Sequence, residues 1–361
     1  MLTADGCAGR VSRLLAALRP TEPLLLGDTL HLRYFANWYI DPFSLGADFG
    51  GFLKIDPDGK TTLYYDHRTS KSVDLAYAAE RVAVKWYDGQ TPGHGPRRMI
   101  LRDVVELAGT RWHVHDAVND PDAAVIHQIV GEMRRAKDPD EVEVLKACMA
   151  ATNAGHAWAR ANVQAGMTEL DVYAGILAEC TKAAGHPVIV YGDFAVSPGS
   201  AKRGGTATSH VIQPGETLIL DFSVVIQGYR SDFTNTLVAG AEPTEGQRKL
   251  FELCVAAMAA GEGQLRAGVP CQVVYDAVRG VFAAVGLEKA FPHHAGHGLG
   301  LAHPEPPFFV ARSEGELVAG DVVTLEPGLY VDDVGGVRIE HNYLVTAGGF
   351  ERLSGHEISL K

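Results

Sequence analysis

Short apolar runs bounded by turn residues dominate the N-terminal third of the chain. Three of them predict strands, at Pro23–Leu26, Gly51–Ile55 and Thr61–Tyr65. The sequence Asp-Pro-Asp-Gly-Lys at 56–60 predicts a hairpin turn between the last two. A helical pattern follows over Ser70–Arg81. Strands that alternate with helices predict an α/β N-terminal domain.

The pattern changes near residues 118–140, which predicts a domain boundary between residues 1–130 and 131–361. Pro139 suits the first turn of a helix, and the aspartates beside it can cap one. Longer helical patterns then alternate with strands, which indicates an α/β or α+β second domain. These helical patterns lie at 141–165, from Thr168 onward (with a capping-box sequence), at 245–266 and at 272–285.

Two apolar strands at 217–224 and 229–234 each carry one aspartate, Asp221 and Asp232. If the turn is centred near 226–227, the two aspartates face each other, with Cβ atoms about 5 Å apart. A turn shifted by one residue makes them diagonal neighbours. Such a pair is costly to bury without a cation, whereas two aspartates at exposed strand ends need none.

The same pattern recurs at 321–330 and 336–344, around an Asp-Asp-Val-Gly turn. Here Glu326 and Glu340 can face each other across the hairpin. Arg338 shares a face with Glu340 because strand side chains alternate, and it is either a salt-bridge partner or a functional residue. Two carboxylate pairs together favour a metal site over exposed strand ends.

A loop at 291–307 carries four histidines, His293, His294, His297 and His303, among glycines and prolines. One neutral imidazole beside four carboxylates can complete two adjacent divalent-metal sites. A solvated histidine-rich loop is the alternative. The sequence contains no zincin motif, serine elbow, phosphate-binding loop or zinc ribbon.

Composition narrows the class of protein. The 361 residues are 46% hydrophobic and carry a formal net charge of −12, so neither nucleic acid nor an anionic membrane is an expected partner. No apolar run reaches the roughly 18 residues of a membrane span, and the N-terminus does not read as a signal peptide. Five scattered cysteines without a C-x-x-C motif favour reduced thiols and a cytoplasmic location.

The ordered set of candidate ligands resembles the pita-bread metallopeptidases, which include methionine aminopeptidase, aminopeptidase P, prolidase and creatinase. The resemblance covers roughly Lys137 to the C-terminus and implies an α+β pita-bread catalytic domain. The N-terminal part resembles the creatinase/prolidase N-domain, through its layout and residues 32–35. The residues that carry it are Asp221, Asp232, His297 in Gly-His-Gly-Leu-Gly, Glu326 in Thr-Leu-Glu-Pro-Gly and Glu340 in Val-Arg-Ile-Glu.

The resemblance implies a role for each ligand. Asp221 would chelate one metal, Asp232 and Glu340 would bridge both, and His297 and Glu326 would complete the second. Glu326 would also shuttle the proton of a water held between the metals. The complete set argues against creatinase itself and against metal-free binding members of the family.

Further roles are implied around the ligands. His293 would bind substrate and assist catalysis, and Arg338 would hold a substrate or ligand carboxylate. His303 would polarise the scissile carbonyl or stabilise the tetrahedral oxyanion.

The sequence also departs from the family pattern. Pro304 stands where the family has its later histidine, so His303 is displaced by one position. Gly204 stands where the family has an upstream histidine, and His210 is the candidate substrate-binding replacement.

The predicted function is hydrolysis of Xaa-Pro bonds by two divalent ions, of Mn, Co, Zn or Fe, with a small peptide as substrate and a homodimer as the expected assembly. Prolidase, an Xaa-Pro dipeptidase, is the first choice because the chain is compact, and aminopeptidase P is the alternative. An amidohydrolase or lyase with the same fold, or a non-catalytic binding module, represents another class.

Overall fold

A computed structural model describes residues 1–40, 51–85, 89–90, 92, 104 and 114–361. The chain divides into two compact units. The first comprises residues 1–134 with 138–141, and the second comprises 135–137 with 142–361. Among the described residues, no helix combines the length and apolarity that a membrane crossing requires.

The first unit contains a sheet of order β1-β2-β3-β4, antiparallel except for the parallel pair β3 and β4. Its core includes Leu25, Tyr64 and Val84. The three predicted strands and the turn at 56–60 are confirmed, since Ile55 pairs with Thr61. The elements are α1 (Ala4–Leu18), β1 (Leu24–Leu26), α2 (Thr29–Ala36), β2 (Phe52–Ile55), β3 (Thr61–Asp66), α3 (Ser70–Val73), β4 (Glu80–Val84) and α4 (Ala123–Met133).

The predicted helix over 70–81 is wrong beyond its first turn. Helix α3 ends at Val73, and residues 80–84 form strand β4 beside β3. Val82 and Val84 are β-branched and favour a strand. Pairing with β3 therefore outweighs a short helical periodicity.

Helix α1 carries two arginines that both contact Asp138, and only one of them is buried. The Arg10 side chain is fully buried, lies 2.9 Å from Asp140 Oδ1 and donates to the Tyr34 carbonyl. We expect Arg10→Met to lower the free energy of unfolding by about 3 kcal/mol, because buried carboxylates lose their counter-charge. The matched change Arg13→Met removes a partly exposed pair and should cost less than about 1 kcal/mol. Urea titrations measure both, and equal losses would contradict this expectation.

The second unit places its helices against two sheets, of order β5-β6-β7 (with β8 also on β6) and β10-β9-β11-β14-β15, beside a β12–β13 hairpin. The Thr168 capping box is confirmed, and all five cysteines are free and buried. The helices are α5 (Pro139–Asn162), α6 (Glu169–Ala184), α7 (Glu245–Glu262) and α8 (Cys271–Ala283). The strands are β5 (Ile189–Val196), β6 (Thr217–Ile226), β7 (Tyr229–Arg230), β8 (Phe233–Val238), β9 (Gly296–Gly298), β10 (Glu305–Phe309), β11 (Val322–Leu325), β12 (Gly328–Val331), β13 (Gly335–Arg338), β14 (His341–Val345) and β15 (Phe350–Arg352).

The first carboxylate hairpin turns at Gln227 and Gly228, whose φ angles are 50° and 89°. This two-residue turn matches the twist of the strands and sets the register. Asp221 consequently pairs with Thr234, not with Asp232. The diagonal arrangement of the two aspartates is therefore the observed one.

The second hairpin has the predicted register. Leu325 pairs with His341 on one side, and Gly328 pairs with Arg338 on the other. Glu326 and Glu340 consequently occupy opposed positions where the ladder is interrupted.

Candidate active site

Asp221, Asp232, Glu326 and His297 line a cavity of about 530 Å³, and the buried Glu340 lies next to Asp221 and Asp232. The structure thus brings together all five residues predicted as metal ligands. Their ligand atoms, with those of two further histidines, form three groups in which the atoms lie within 4.8 Å of one another. The groups are Asp221, Asp232 and Glu340; His294, His297 and Glu326; and Asp232, His297 and His303.

Burial and mutual repulsion perturb these carboxyl groups. Burial raises the pKa of Asp221 to about 7, with Arg338 opposing the shift and Asp232 adding to it. Burial and the charges of Asp232 and Asp221 also raise the pKa of Glu340 well above its usual range. Thr234 donates to Glu340 Oε2 at 2.7 Å, whereas the buried Oε1 has no hydrogen-bond partner among the described residues. A cation would offset both costs, and this donor set suits divalent metal ions.

Glu326 has a different environment. Its Oε1 lies 3.2 Å from His294 Nδ1 and 3.5 Å from His297 Nε2. Burial opposes ionisation, but these imidazoles hold the pKa of Glu326 below its usual range. An ionised carboxylate in this position can bind a cation or accept a proton.

Side-chain hydrogen bonds join the two carboxylate hairpins. The Asn342 side chain accepts from Asp232 N at 3.1 Å and donates to the Asp232 carbonyl. Thr236 Oγ1 donates to the Arg338 carbonyl at 2.8 Å and accepts from its N–H at 3.0 Å. These contacts fix the strands that carry the carboxylates relative to one another.

The displaced histidine of the loop still reaches the cavity. His303 Nε2 lies 2.6 Å from Asp232 Oδ2, and its Nδ1 lies 3.3 Å from the Tyr191 hydroxyl. Burial opposes protonation, but contact with Asp232 outweighs it and raises the pKa of His303. His293 also lines the cavity, and burial lowers its pKa to about 4.

The structure does not bring His210 to the cavity. Its exposed side chain lies 2.8 Å from Glu216 Oε2. Gly204 lines the cavity instead, with a φ of 131°. A Cβ at Gly204 would lie 2.2 Å from Asp193 Oδ2. The Asp193 carboxylate therefore occupies the space next to this position, and His210 is too far along the chain to replace it.

Arg338 contacts the carboxylates of Asp193 and Asp221. Its Nη2 donates at 2.5 Å to both Asp193 Oδ2 and Asp221 Oδ2. Its Nη1 donates to the Tyr330 hydroxyl at 2.8 Å and to the Arg203 carbonyl at 3.2 Å. Of the two roles predicted for Arg338, the structure supports contact with the carboxylate of a candidate ligand, Asp221.

The sequence reasoning missed several residues of this cavity. His294 could have been found, because it adjoins His293 in the same loop. Asp193 reaches the cavity because β5 pairs with β6 and sets Asp193 opposite Asp221. No local pattern marks that pairing, nor the position of Tyr330.

Two further histidines outside the cavity lie against the strand that follows Asp232. His156 Nε2 donates to the Phe233 carbonyl at 3.1 Å, and His356 Nε2 donates to the Thr234 carbonyl at 3.0 Å. Burial lowers the pKa of His356 to about 4. The unfolded chain takes up this proton near pH 6.5, which the folded chain does not do until about pH 4.

We expect His356 to make the protein acid-sensitive. Stability is present above pH 6.5 and is lost as the pH falls towards 4, by about 2 kcal/mol between pH 7 and pH 5. His356→Gln retains a donor and should show a smaller loss, measured by urea unfolding at both pH values. The exposed control His186→Gln should match the wild-type protein, and an unchanged loss in His356→Gln would contradict the expectation.

Comparison with known proteins defines the class. The fold is that of two-domain prolidase-like metallopeptidases, as the solved structures of two proteins show. An Xaa-Pro dipeptidase from Bacillus anthracis matches with a TM-score of 0.78 and 24% identity, covering 98% of this chain and 99% of that one. Dipeptidase PepE from Mycobacterium ulcerans matches with a TM-score of 0.75 and 26% identity, covering 99% and 98%.

The family follows from the sequence matches. Residues 143–347 match the model of metallopeptidase family M24, and the chain belongs to this family. An Xaa-Pro dipeptidase of Pyrococcus horikoshii is 30% identical over 241 residues, 65% of this chain and 67% of that protein. An uncharacterised peptidase of Staphylococcus haemolyticus is 31% identical over 237 residues, 64% of this chain and 66% of that protein. The matched region thus spans about two thirds of the length of these two relatives.

Proposed function

We propose that the protein is an Xaa-Pro dipeptidase that uses two divalent metal ions. The observation that carries the proposal is the convergence of four carboxylates with His297, among them the buried Glu340, whose Oε1 has no hydrogen-bond partner among the described residues. Membership of family M24 and the likeness to Xaa-Pro dipeptidases support the substrate class.

The ions would be held by Asp221, Asp232, His297, Glu326 and Glu340. Once bound, two divalent ions supply Lewis acidity, which lowers the pKa of a shared water and polarises a carbonyl. Such electrophilic help needs no amide N–H from the substrate, which suits the tertiary amide of an Xaa-Pro bond.

The chain's own groups perform the remaining steps. Glu326 accepts the proton of the attacking water and passes it to the leaving nitrogen. His303 donates to the oxygen of the scissile carbonyl as negative charge develops there. His293, at the cavity wall, contacts the substrate.

The proposal extends to three further properties of the protein: manganese as the ion, a homodimer as the assembly and the cytoplasm as the location.

A second candidate keeps the fold and the ions but acts on a non-peptide substrate, as an amidohydrolase or lyase. Gly204 and Pro304 favour it, because they stand where the family has substrate-site histidines.

The test is a panel of Xaa-Pro and Xaa-Ala dipeptides and longer Xaa-Pro peptides, assayed with manganese-loaded protein. Turnover of Xaa-Pro dipeptides supports the proposal, whereas preference for longer peptides indicates an Xaa-Pro aminopeptidase. With two ions bound per chain, no turnover of any peptide favours the non-peptide candidate. A protein that binds fewer than one ion per chain and is inactive is a binding module.

A further inference from the structure

Among the described residues, two arginines line the cavity, and both terminal guanidinium nitrogens of one of them, Arg338, already have acceptors. Arg338 has a side chain that is only 8% exposed, and it contacts Asp193, Asp221, the Tyr330 hydroxyl and the Arg203 carbonyl. Its Nε has no hydrogen-bond partner among the described residues but is buried, so a substrate carboxylate that binds the Nη nitrogens must displace one of these acceptors. It would also meet the negative charges of Asp193 and Asp221 at short range. Arg338 is therefore unsuited to bind a second anion.

Arg203 is the other arginine at this cavity. It lines the cavity and is exposed, and its guanidinium has no ion pair or hydrogen bond within the described ranges. The backbone carbonyl of Arg203 accepts a hydrogen bond from Arg338 Nη1 at 3.2 Å, which holds the Arg203 backbone next to the Arg338 side chain. Gly204 and Gly205 follow along the cavity wall without side chains. The Arg203 side chain thus has open access to the space next to the carboxylates.

The two arginines also differ in the acidic groups that surround them. Asp193 and Asp221 offset the charge of Arg338, whereas no acidic group of the described residues contacts the guanidinium of Arg203. An arginine fork binds a carboxylate through two parallel N–H···O bonds. We propose that Arg203 binds the free α-carboxylate of the substrate and thereby selects dipeptides. This inference rests on the proposed dipeptidase function.

The test compares Ala-Pro with its C-terminal amide as substrates of the manganese-loaded full-length protein. In Arg203→Gln, we expect KM for Ala-Pro to rise about ten-fold or more. KM for the amide should stay within two-fold, and kcat should change little on both. Arg203→Lys keeps the charge without the fork and should lie between. The matched control Arg248→Gln, at an exposed position on α7, should leave both substrates unaffected.

A binding measurement separates this inference from the proposed function. Calorimetry with L-proline and L-prolinamide reports carboxylate recognition without turnover. Wild-type protein should prefer proline, and Arg203→Gln should lose that preference. Equal losses on acid and amide, no loss, or wild-type protein that does not distinguish the two compounds would overturn the role of Arg203. Failure of the dipeptidase proposal would instead appear as absent peptide turnover in wild-type protein.

Discussion

Replacing Glu326 by glutamine should lower kcat on an Xaa-Pro dipeptide by about 10³-fold. The substitution preserves the size of the side chain but removes its negative charge and its capacity to accept a proton. Glu326 lies in the group with His294 and His297, where the imidazoles favour the ionised form. The measurement is kcat at saturating substrate, with the metal content of each preparation determined in parallel.

The control for this variant is Glu252→Gln, an exposed glutamate on α7. It should retain wild-type kcat and metal content. If Glu326→Gln kept kcat within ten-fold of wild type while binding its full complement of ions, Glu326 would not be the proton shuttle.

Replacing Glu340 by glutamine should abolish turnover without destabilising the metal-free protein. Glu340 is 1% exposed, and its nearest charges are the carboxylates of Asp221 and Asp232. A neutral amide relieves this repulsion, and its N–H can donate to a neighbouring carboxylate. At pH 8, we expect the metal-free variant to unfold with a free energy about 1 kcal/mol higher than metal-free wild type.

With metal bound, wild-type protein should have a higher free energy of unfolding than Glu340→Gln. An ion at 100 times its Kd stabilises wild-type protein by about 2.7 kcal/mol, and Glu340→Gln should gain much less. Glu305→Gln provides the contrast, because Glu305 is equally buried but lies 2.7 Å from Lys137 Nζ. That change should destabilise the metal-free protein by about 3 kcal/mol. A similar loss in Glu340→Gln would show that its carboxylate is not under electrostatic stress.

The sequence predicted the elements that rest on local rules. The Thr168 cap, the turn at 56–60 and the opposed positions of Glu326 and Glu340 depend on near neighbours along the chain. The sequence prediction was wrong, or left two alternatives, where contacts with another strand determine the local structure. Residues 80–84 pair with β3 rather than extending a helix, and only the Gln227 turn decided the register of the first hairpin.

Some residues of the candidate site can also be predicted from local sequence, whereas others depend on distant strand pairing. Asp221 and Asp232 could be found because a polar residue within an apolar strand is conspicuous. Asp193 could not, because it is placed opposite Asp221 by a strand that comes much earlier in the chain. His210 has suitable chemistry but lies outside the cavity. The roles of the proposed ligands stay predictions until metal and substrate are measured.

The bonds that Asn342 and Thr236 make between the two hairpins have a consequence for ion selectivity. A frame that is held by its own side-chain hydrogen bonds cannot relax freely around a larger or smaller ion. Ions whose radius does not fit the site should therefore bind with a less favourable enthalpy. Asn342→Ala, which loosens the frame, should lower the affinity for each divalent cation and reduce the differences in affinity among them.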